Sequence, residues 1–204
     1  MIMKGLVSNG FMEQAEEIYK KMILDCIEPD QFTYGIFISG FINQRKDLEK
    51  SEFYFQKMLK NLIKIDLVSY SMMIGIYSKF NEIEKAESLI SKMKKERLQP
   101  NIICLSSLIK CYLTNKNFEK AENLYNEIKK SNQKLDTIFF NSIIHSFAKQ
   151  QNFEKVDEYL QEMKDLNIEP NYLTFSILVK ESNSIGGDKS IYYQQLLEEF
   201  NNKN

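Results

Sequence analysis

The chain repeats itself at a nearly fixed step. A short charged-polar-small tripeptide recurs as Glu13-Gln14-Ala15, Glu49-Lys50-Ser51, Glu84-Lys85-Ala86, Glu119-Lys120-Ala121 and Glu154-Lys155-Val156, so its small residue advances by 36, then 35, 35 and 35 positions. A second marker keeps the same step: Pro29-Asp30, Ile65-Asp66, Pro100-Asn101, Leu135-Asp136 and Pro170-Asn171. So does a third: Met22, Met58, Met93, Ile128 and Met163. Three markers in one register mean a solenoid, in which each unit buries its apolar face only against its neighbours. The 204 residues therefore make one elongated array rather than one or two globular domains.

One unit, Leu67 to Asn101, shows how the array is built. Apolar residues at Tyr70, Met73, Ile74 and Tyr77 follow the spacing of an amphipathic helix. Phe80-Asn81-Glu82 makes a turn, and Ile83, Ala86, Leu89, Ile90 and Met93 mark a second helix. Glu84 opens that helix while Lys94, Lys95 and Arg97 close it, as the helix dipole prefers. Pro100-Asn101 ends the unit. The expected fold is all-α, an α-solenoid of stacked helix-turn-helix units with no sheet. The small residue at Ala86, matched by Ala15, Ser51, Ala121 and Val156, lets the paired helices approach closely. The tripeptide itself reads as packing and helix-surface charge, without a function of its own.

The register divides the chain into a partial unit at 1–30, units at 31–66, 67–101, 102–136 and 137–171, and a degenerate or capping unit at 172–204. Met1 projects onto the sixth position of its unit, so the first unit is expected to be incomplete and the chain to be a piece of a longer one. The 31–66 unit carries one extra residue, expected in the turn Asn43-Gln44-Arg45-Lys46-Asp47, where an insertion costs little. In the last unit Thr174 to Ser182 reads as a first helix and Ser184-Ile185-Gly186-Gly187-Asp188 as a glycine-rich turn. Ile191 to Phe200 reads as a second helix without the tripeptide.

Composition narrows the function. Lys and Arg total 27 against 28 Asp and Glu, which argues against holding nucleic acid by bulk charge alone and leaves room for a local basic strip. Cys26, Cys104 and Cys111 form no CxxC pair and read as small core residues in a reducing compartment. No apolar run reaches the roughly 18 residues that span a bilayer, and the first residues do not read as a signal peptide or an Arg/Ser-rich leader. His145 is the single histidine and reads as neither ligand nor base. No zinc-deaminase signature, phosphate-binding glycine loop or nucleophilic triad stands out, so the expectation is a non-enzyme with no cofactor, metal site or small-molecule substrate.

The units resemble the pentatricopeptide repeat family, through Phe32-Thr33-Tyr34, Val68-Ser69-Tyr70-Ser71 and Leu173-Thr174-Phe175-Ser176 in the first helices and Ile83-Glu84-Lys85-Ala86, Met93 and Pro100-Asn101 in the second. The tetratricopeptide repeat fits less well: it has a step of about 34 and a Trp signature, and this chain has no Trp. The resemblance implies a right-handed superhelix that binds single-stranded RNA, one base per unit. It implies that the fifth and last residues of a unit read a base together: Gly35 with Asp66, Ser71 with Asn101, Ser106 with Asp136, and Asn141 with Asn171. It implies base-stacking wedges at Phe32, Val68, Ile103, Ile138 and Leu173, and phosphate contacts at Lys79 and Lys149, with Lys110 and Lys180 one helical turn earlier. By the family's rules the four pairs read G-A-G-C from 5′ to 3′. Asp can only accept a hydrogen bond whereas Asn also donates, so the choice between them can discriminate bases. The same Asp and Asn residues also suit cap and turn chemistry. An organellar RNA-binding adaptor, mitochondrial or alternatively plastid, follows from the resemblance, acting in RNA processing, stability or translation. The alternatives are a structural subunit of a large ribonucleoprotein such as the mitochondrial ribosome, with ribosomal subunits as partners, and a protein-binding scaffold.

Overall fold

The structure is a computed structural model that describes residues 2–203 apart from 62, 64, 132 and 185. The sequence readings at Met1, Ile185 and Asn204 lie outside the described residues. The described residues form twelve α-helices and no strand: α1 (Ile2–Ser8), α2 (Met12–Leu24), α3 (Gln31–Gly40), α4 (Leu48–Lys60), α5 (Leu67–Lys79), α6 (Ile83–Lys95), α7 (Ile102–Thr114), α8 (Phe118–Lys130), α9 (Thr137–Lys149), α10 (Phe153–Asp165), α11 (Tyr172–Asn183) and α12 (Asp188–Lys203). Odd and even helices pair within each unit, and the odd helices also pack on one another along the array, α1 on α3, α5 on α7, α7 on α9 and α9 on α11.

The core lies between the two rows. Phe37, Met73, Leu108, Ile143 and Leu178 occupy one place in successive first helices and are all buried. Ala15, Ser51, Ala86, Ala121 and Val156 are buried at the helix contact, as their size predicts. Ser51 remains satisfied there, its hydroxyl donating to the carbonyls of Ile38 and Asp47 at 3.0 and 2.9 Å. Ala86→Phe is therefore expected to overpack a closed contact and cost about 1–3 kcal/mol. Glu84→Ala, on an exposed face, should leave the melting temperature nearly unchanged. Thermal melts of the two variants check the assignment, and a larger shift for Glu84→Ala would refute it.

Helix ends explain the methionine marker. Each Met-marker residue Met22, Met93 and Met163 accepts a bond at its carbonyl from the N–H of Ile27, Leu98 and Ile168 respectively, with Cys26, Arg97 and Asn167 left-handed in between. This is the closing bond of a Schellman turn. Cys26 is thus an exposed turn residue, contrary to its reading as core, whereas Cys104 and Cys111 are buried. The first helices close the same way on an aromatic carbonyl: Glu82 to Tyr77, Asn117 to Tyr112 and Asn152 to Phe147.

The extra residue of the second unit sits inside the helix rather than in a loop. Phe41–Arg45 continues α3 as a π-helical turn, and Asp47 donates to the carbonyl of Phe41, one residue wider than in the other units. Lys46 then takes the left-handed place held elsewhere by Asn81, Lys116 and Gln151. A widened last turn keeps Phe41 in the buried place of Tyr77, so the insertion leaves core register intact.

The last unit also carries the tripeptide after all. Helix α12 begins at Asp188, and Asp188-Lys189-Ser190 stands where Glu154-Lys155-Val156 stands in the unit before. A ladder of ion pairs shows the equivalence. Lys50 pairs with Glu16, Lys85 with Glu52, Lys120 with Glu87, Lys155 with Glu122 and Lys189 with Asp157. Each lysine is the middle residue of its tripeptide, and each acid directly follows the small residue of the preceding one. Exposed pairs of this kind contribute about 0–1 kcal/mol each; repeated, they mark the stacking register on the outer row.

Candidate nucleic-acid interface

The face of the first-helix row opposite the core is built from one helical stripe. Residues at steps of three, then four, then four, fall on one side of a helix. In α5 these are Val68, Ser71, Gly75 and Lys79; in α9 they are Ile138, Asn141, His145 and Lys149. Stacked units turn the stripe into an apolar row beside a row of small and polar residues, with lysines beyond them at Lys79 and Lys149, and at Lys110 and Lys180 one helical turn earlier in two other units.

The apolar row does not serve the core. Phe32, Val68, Ile103, Ile138 and Leu173 are 59, 71, 59, 75 and 56% exposed. Five large apolar side chains at one register, all out in solvent, form an extended surface of the kind that marks an interaction site. All five predicted wedge residues share it.

The polar row rests on helix caps. Asp30, Asp66, Asn101, Asp136 and Asn171 each cap the following first helix, their side chains accepting from the N–H of Thr33, Ser69, Cys104, Phe139 and Thr174. The cap reading of these residues is therefore correct, and it fixes their side chains beside the preceding unit. The Thr33 hydroxyl and then its backbone N–H hold the Asp30 carboxyl below the usual carboxylate range. Partial burial pushes the Asp66 carboxyl up, but bonds from the Ser69 N–H and the Gln31 carboxamide outweigh it and leave it lowered.

Two predicted pairs meet directly. The Ser71 hydroxyl donates to the Leu67 carbonyl of its own helix at 2.6 Å and lies 3.5 Å from Asn101 Oδ1, and Asn141 Nδ2 donates to Asn171 Oδ1 at 3.3 Å. The residues of each pair are 30 apart in sequence, so only unit stacking joins them. The other two pairs differ. Ser106 turns back to the carbonyl of Ile103 at 3.1 Å while Asp136 caps α9. Gly35 has no side chain, and a Cβ built on it would meet nothing within 4 Å.

A third participant was missed at the sequence level. Cys104 Sγ lies 3.1 Å from the Ser71 hydroxyl, and Thr174 donates to Asn141 Oδ1 at 2.7 Å. These residues stand third in the next unit, as does Phe139, which offers Ser106 no polar partner. In these two places the third residue thus contacts the fifth residue of the unit before it. The available signal was the run of small polar residues Thr33, Ser69, Cys104 and Thr174, which reads as cap chemistry alone.

Lys79, Lys110, Lys149 and Lys180 are all exposed. His145 sits among them. Burial pushes its imidazole down, Glu181 at 3.5 Å pulls it up, and the charges of Lys110 and Lys149 push it down again. The net lowering leaves the ring neutral at neutral pH, beside an exposed basic strip. Among the described residues no cluster of His, Cys, Asp and Glu could hold a metal ion, and no helix is long and apolar enough to cross a membrane.

The sequence profile of the PPR repeat family matches residues 1–43, 65–112 and 135–182, and that of the single PPR repeat matches 103–133. The chain belongs to the pentatricopeptide repeat family. No curated protein matches it. Among solved structures, the pentatricopeptide repeat protein PPR10 in complex with an 18-nucleotide psaJ RNA element superposes with a TM-score of 0.81 at 16% identity, over 98% of this chain and 30% of that one. PPR10 from maize gives 0.68 at 16% identity over 95% and 30%. The PPR domain of Arabidopsis thaliana protein-only RNase P 1, in complex with tRNA, gives 0.66 at 14% identity over 89% and 95%. This pentatricopeptide repeat array therefore has the solenoid fold of those proteins and spans about 30% of the length of PPR10.

Proposed function

We propose that this pentatricopeptide repeat chain binds single-stranded RNA along the open face of its first helices, one base per unit. The observation that carries the reading is the exposed apolar row Phe32, Val68, Ile103, Ile138 and Leu173 running beside a row of polar pairs. Side chains of this kind insert between bases, and the adjacent polar groups then face the base edges. The phosphates fall toward Lys79 and Lys149. The similarity to two pentatricopeptide repeat structures solved with RNA supports the same reading. The chain acts as an adaptor rather than an enzyme, in RNA processing, stability or translation. Its setting is the mitochondrion; this part rests on the family resemblance, and imaging the tagged protein against mitochondrial and plastid markers tests it.

The test of base reading is competition binding with RNAs selected from a randomised pool and then varied at one base. Asn101→Asp removes a donor beside Ser71 and leaves only acceptors. Preference at that base should move from adenine toward guanine, each mismatch costing on the order of 1–3 kcal/mol. Replacing Lys79 and Lys149 by Ala should weaken all sequences alike and lower the salt slope by about 0.7 for each phosphate no longer neutralised. An unchanged base ranking for a folded Asn101→Asp variant would refute the base-reading role.

A further inference from the structure

The 31–66 unit has a groove where the other units have a side chain. Gly35 leaves open space in front of its Cα. A groove of about 600 Å³ runs there, lined by Gln31, Phe32, Gly35, Val68, Ser69 and Met72 among others. It lies between two successive wedge residues, Phe32 and Val68, where the reading above places a base.

Lys4, Ser8, Asp30 and Ser39 also border the groove, and Gln31 enters it from another position of the same unit as Gly35. Gln31 is the first residue of its unit, and its carboxamide nitrogen donates to the Ser69 hydroxyl at 3.2 Å. It also lies in reach of the Asp66 carboxylate, which it helps to hold ionised. Ser69 is the third residue of the following unit, the place from which Cys104 and Thr174 contact the base-reading residues Ser71 and Asn141. Gln31 therefore takes up, from the first position, the contact that a fifth residue makes elsewhere. At the first position the other units carry Leu67, Ile102, Thr137 and Tyr172, none with a carboxamide.

We infer that Gln31 is the base-reading side chain of the 31–66 unit, standing in for Gly35, and that with Asp66 it selects guanine. The inference rests on the RNA-binding reading and adds to it a specificity residue at an unexpected position. The choice of base follows from hydrogen-bond polarity. An ionised Asp66 only accepts, so the Gln31 amide turns its N–H groups toward Asp66 and Ser69 and leaves Oε1 as an acceptor. Two acceptors then face the base. Guanine alone presents two adjacent donors, N1–H and the N2 amino group, on its Watson–Crick edge; adenine, cytosine and uracil each offer one.

The test is competition binding with RNAs that differ only at the base 5′ to the one whose preference moves in Asn101→Asp. Wild type should prefer guanine there by about tenfold or more, the low end of what a two-bond contact discriminates. Gln31→Leu, which copies Leu67 of the next unit, should bring the four bases within about twofold. It should leave the preference opposite Ser71 and Asn101 unchanged. Gly35→Asn in the Gln31→Leu background should restore a preference, because it returns an amide to the fifth position. A guanine preference that survives in a folded Gln31→Leu variant would overturn the inference while leaving the RNA-binding reading in place. Wild type that retains no RNA from the pool, or ranks no base at any position, would instead sink that reading and this inference with it.

Discussion

Replacing Val68, Ile103 and Ile138 together by alanine should weaken RNA binding on the order of a hundredfold and leave the fold intact. Stacking of a side chain on a base contributes about 1–3 kcal/mol per base for aromatics. Aliphatic wedges belong at the low end, so three of them sum to about 3 kcal/mol, a little over two decades in affinity. The three side chains are 71, 59 and 75% exposed, so truncating them removes little buried area. Alanine also favours a helix over β-branched valine and isoleucine, so the melting temperature should hold or rise slightly. That separation of affinity from stability distinguishes an interface row from a core row. Equal truncation of the buried row Met73, Leu108 and Ile143 would unfold the array instead. The measurement is filter or anisotropy binding to the selected RNA beside a thermal melt. Unchanged affinity with an unchanged melt would show that the exposed row serves another partner.

Why the wedge row was legible in the sequence, and part of the polar row was not, has a physical basis. In α5 the core-facing spacing is Tyr70, Met73, Ile74 and Tyr77, which leaves Val68 off the buried side. The wedge role itself came from the resemblance to the pentatricopeptide repeat family, and an apolar residue off the core stripe at the same place in every unit agrees with it. The helix pairs were legible for a related reason: an array buries each unit against copies of itself, so the period in sequence is the period in space. The π-helical turn at Phe41–Arg45 was not legible as such. The spacing locates one extra residue after Phe41 but does not say whether a loop or a widened helix turn absorbs it, and burial of Phe41 decides for the latter. The tripeptide at Asp188-Lys189-Ser190 was hidden because its small residue falls 34 rather than 35 positions after Val156. The Lys189–Asp157 pair shows the match, and so does the bond from Tyr193 to Asp157, which repeats that from Tyr54 to Glu16. The contacts of Ser69, Cys104 and Thr174 with the preceding unit, and the substitution of Gln31 for Gly35, depend on how close neighbouring helices come. One unit's residue pattern cannot carry that distance.

Phe37→Ala should be the most damaging of these single substitutions, costing about 3–5 kcal/mol. Phe37 is fully buried and joins the first two units through its ring, stacking on Tyr54 at 4.6 Å and on Phe41 at 6.4 Å and meeting Tyr19 edge-on at 5.3 Å. Tyr19 belongs to α2 and Tyr54 to α4, so removing the ring opens the contact between units as well as the core of one. Stability in such an array is a sum over units and their interfaces. The damage should therefore stay local: the 31–66 unit and the one before it should unfold early, while α7 to α12 keep their own buried contacts. Hydrogen exchange should show weakened protection across α1 to α4 and full protection in α9 and α10. Ile143→Ala, placed the same way in the 137–171 unit, should give the mirror pattern, with protection retained at the start of the chain. A single cooperative collapse of protection across all twelve helices for Phe37→Ala would show that the units are coupled more tightly than nearest-neighbour stacking implies.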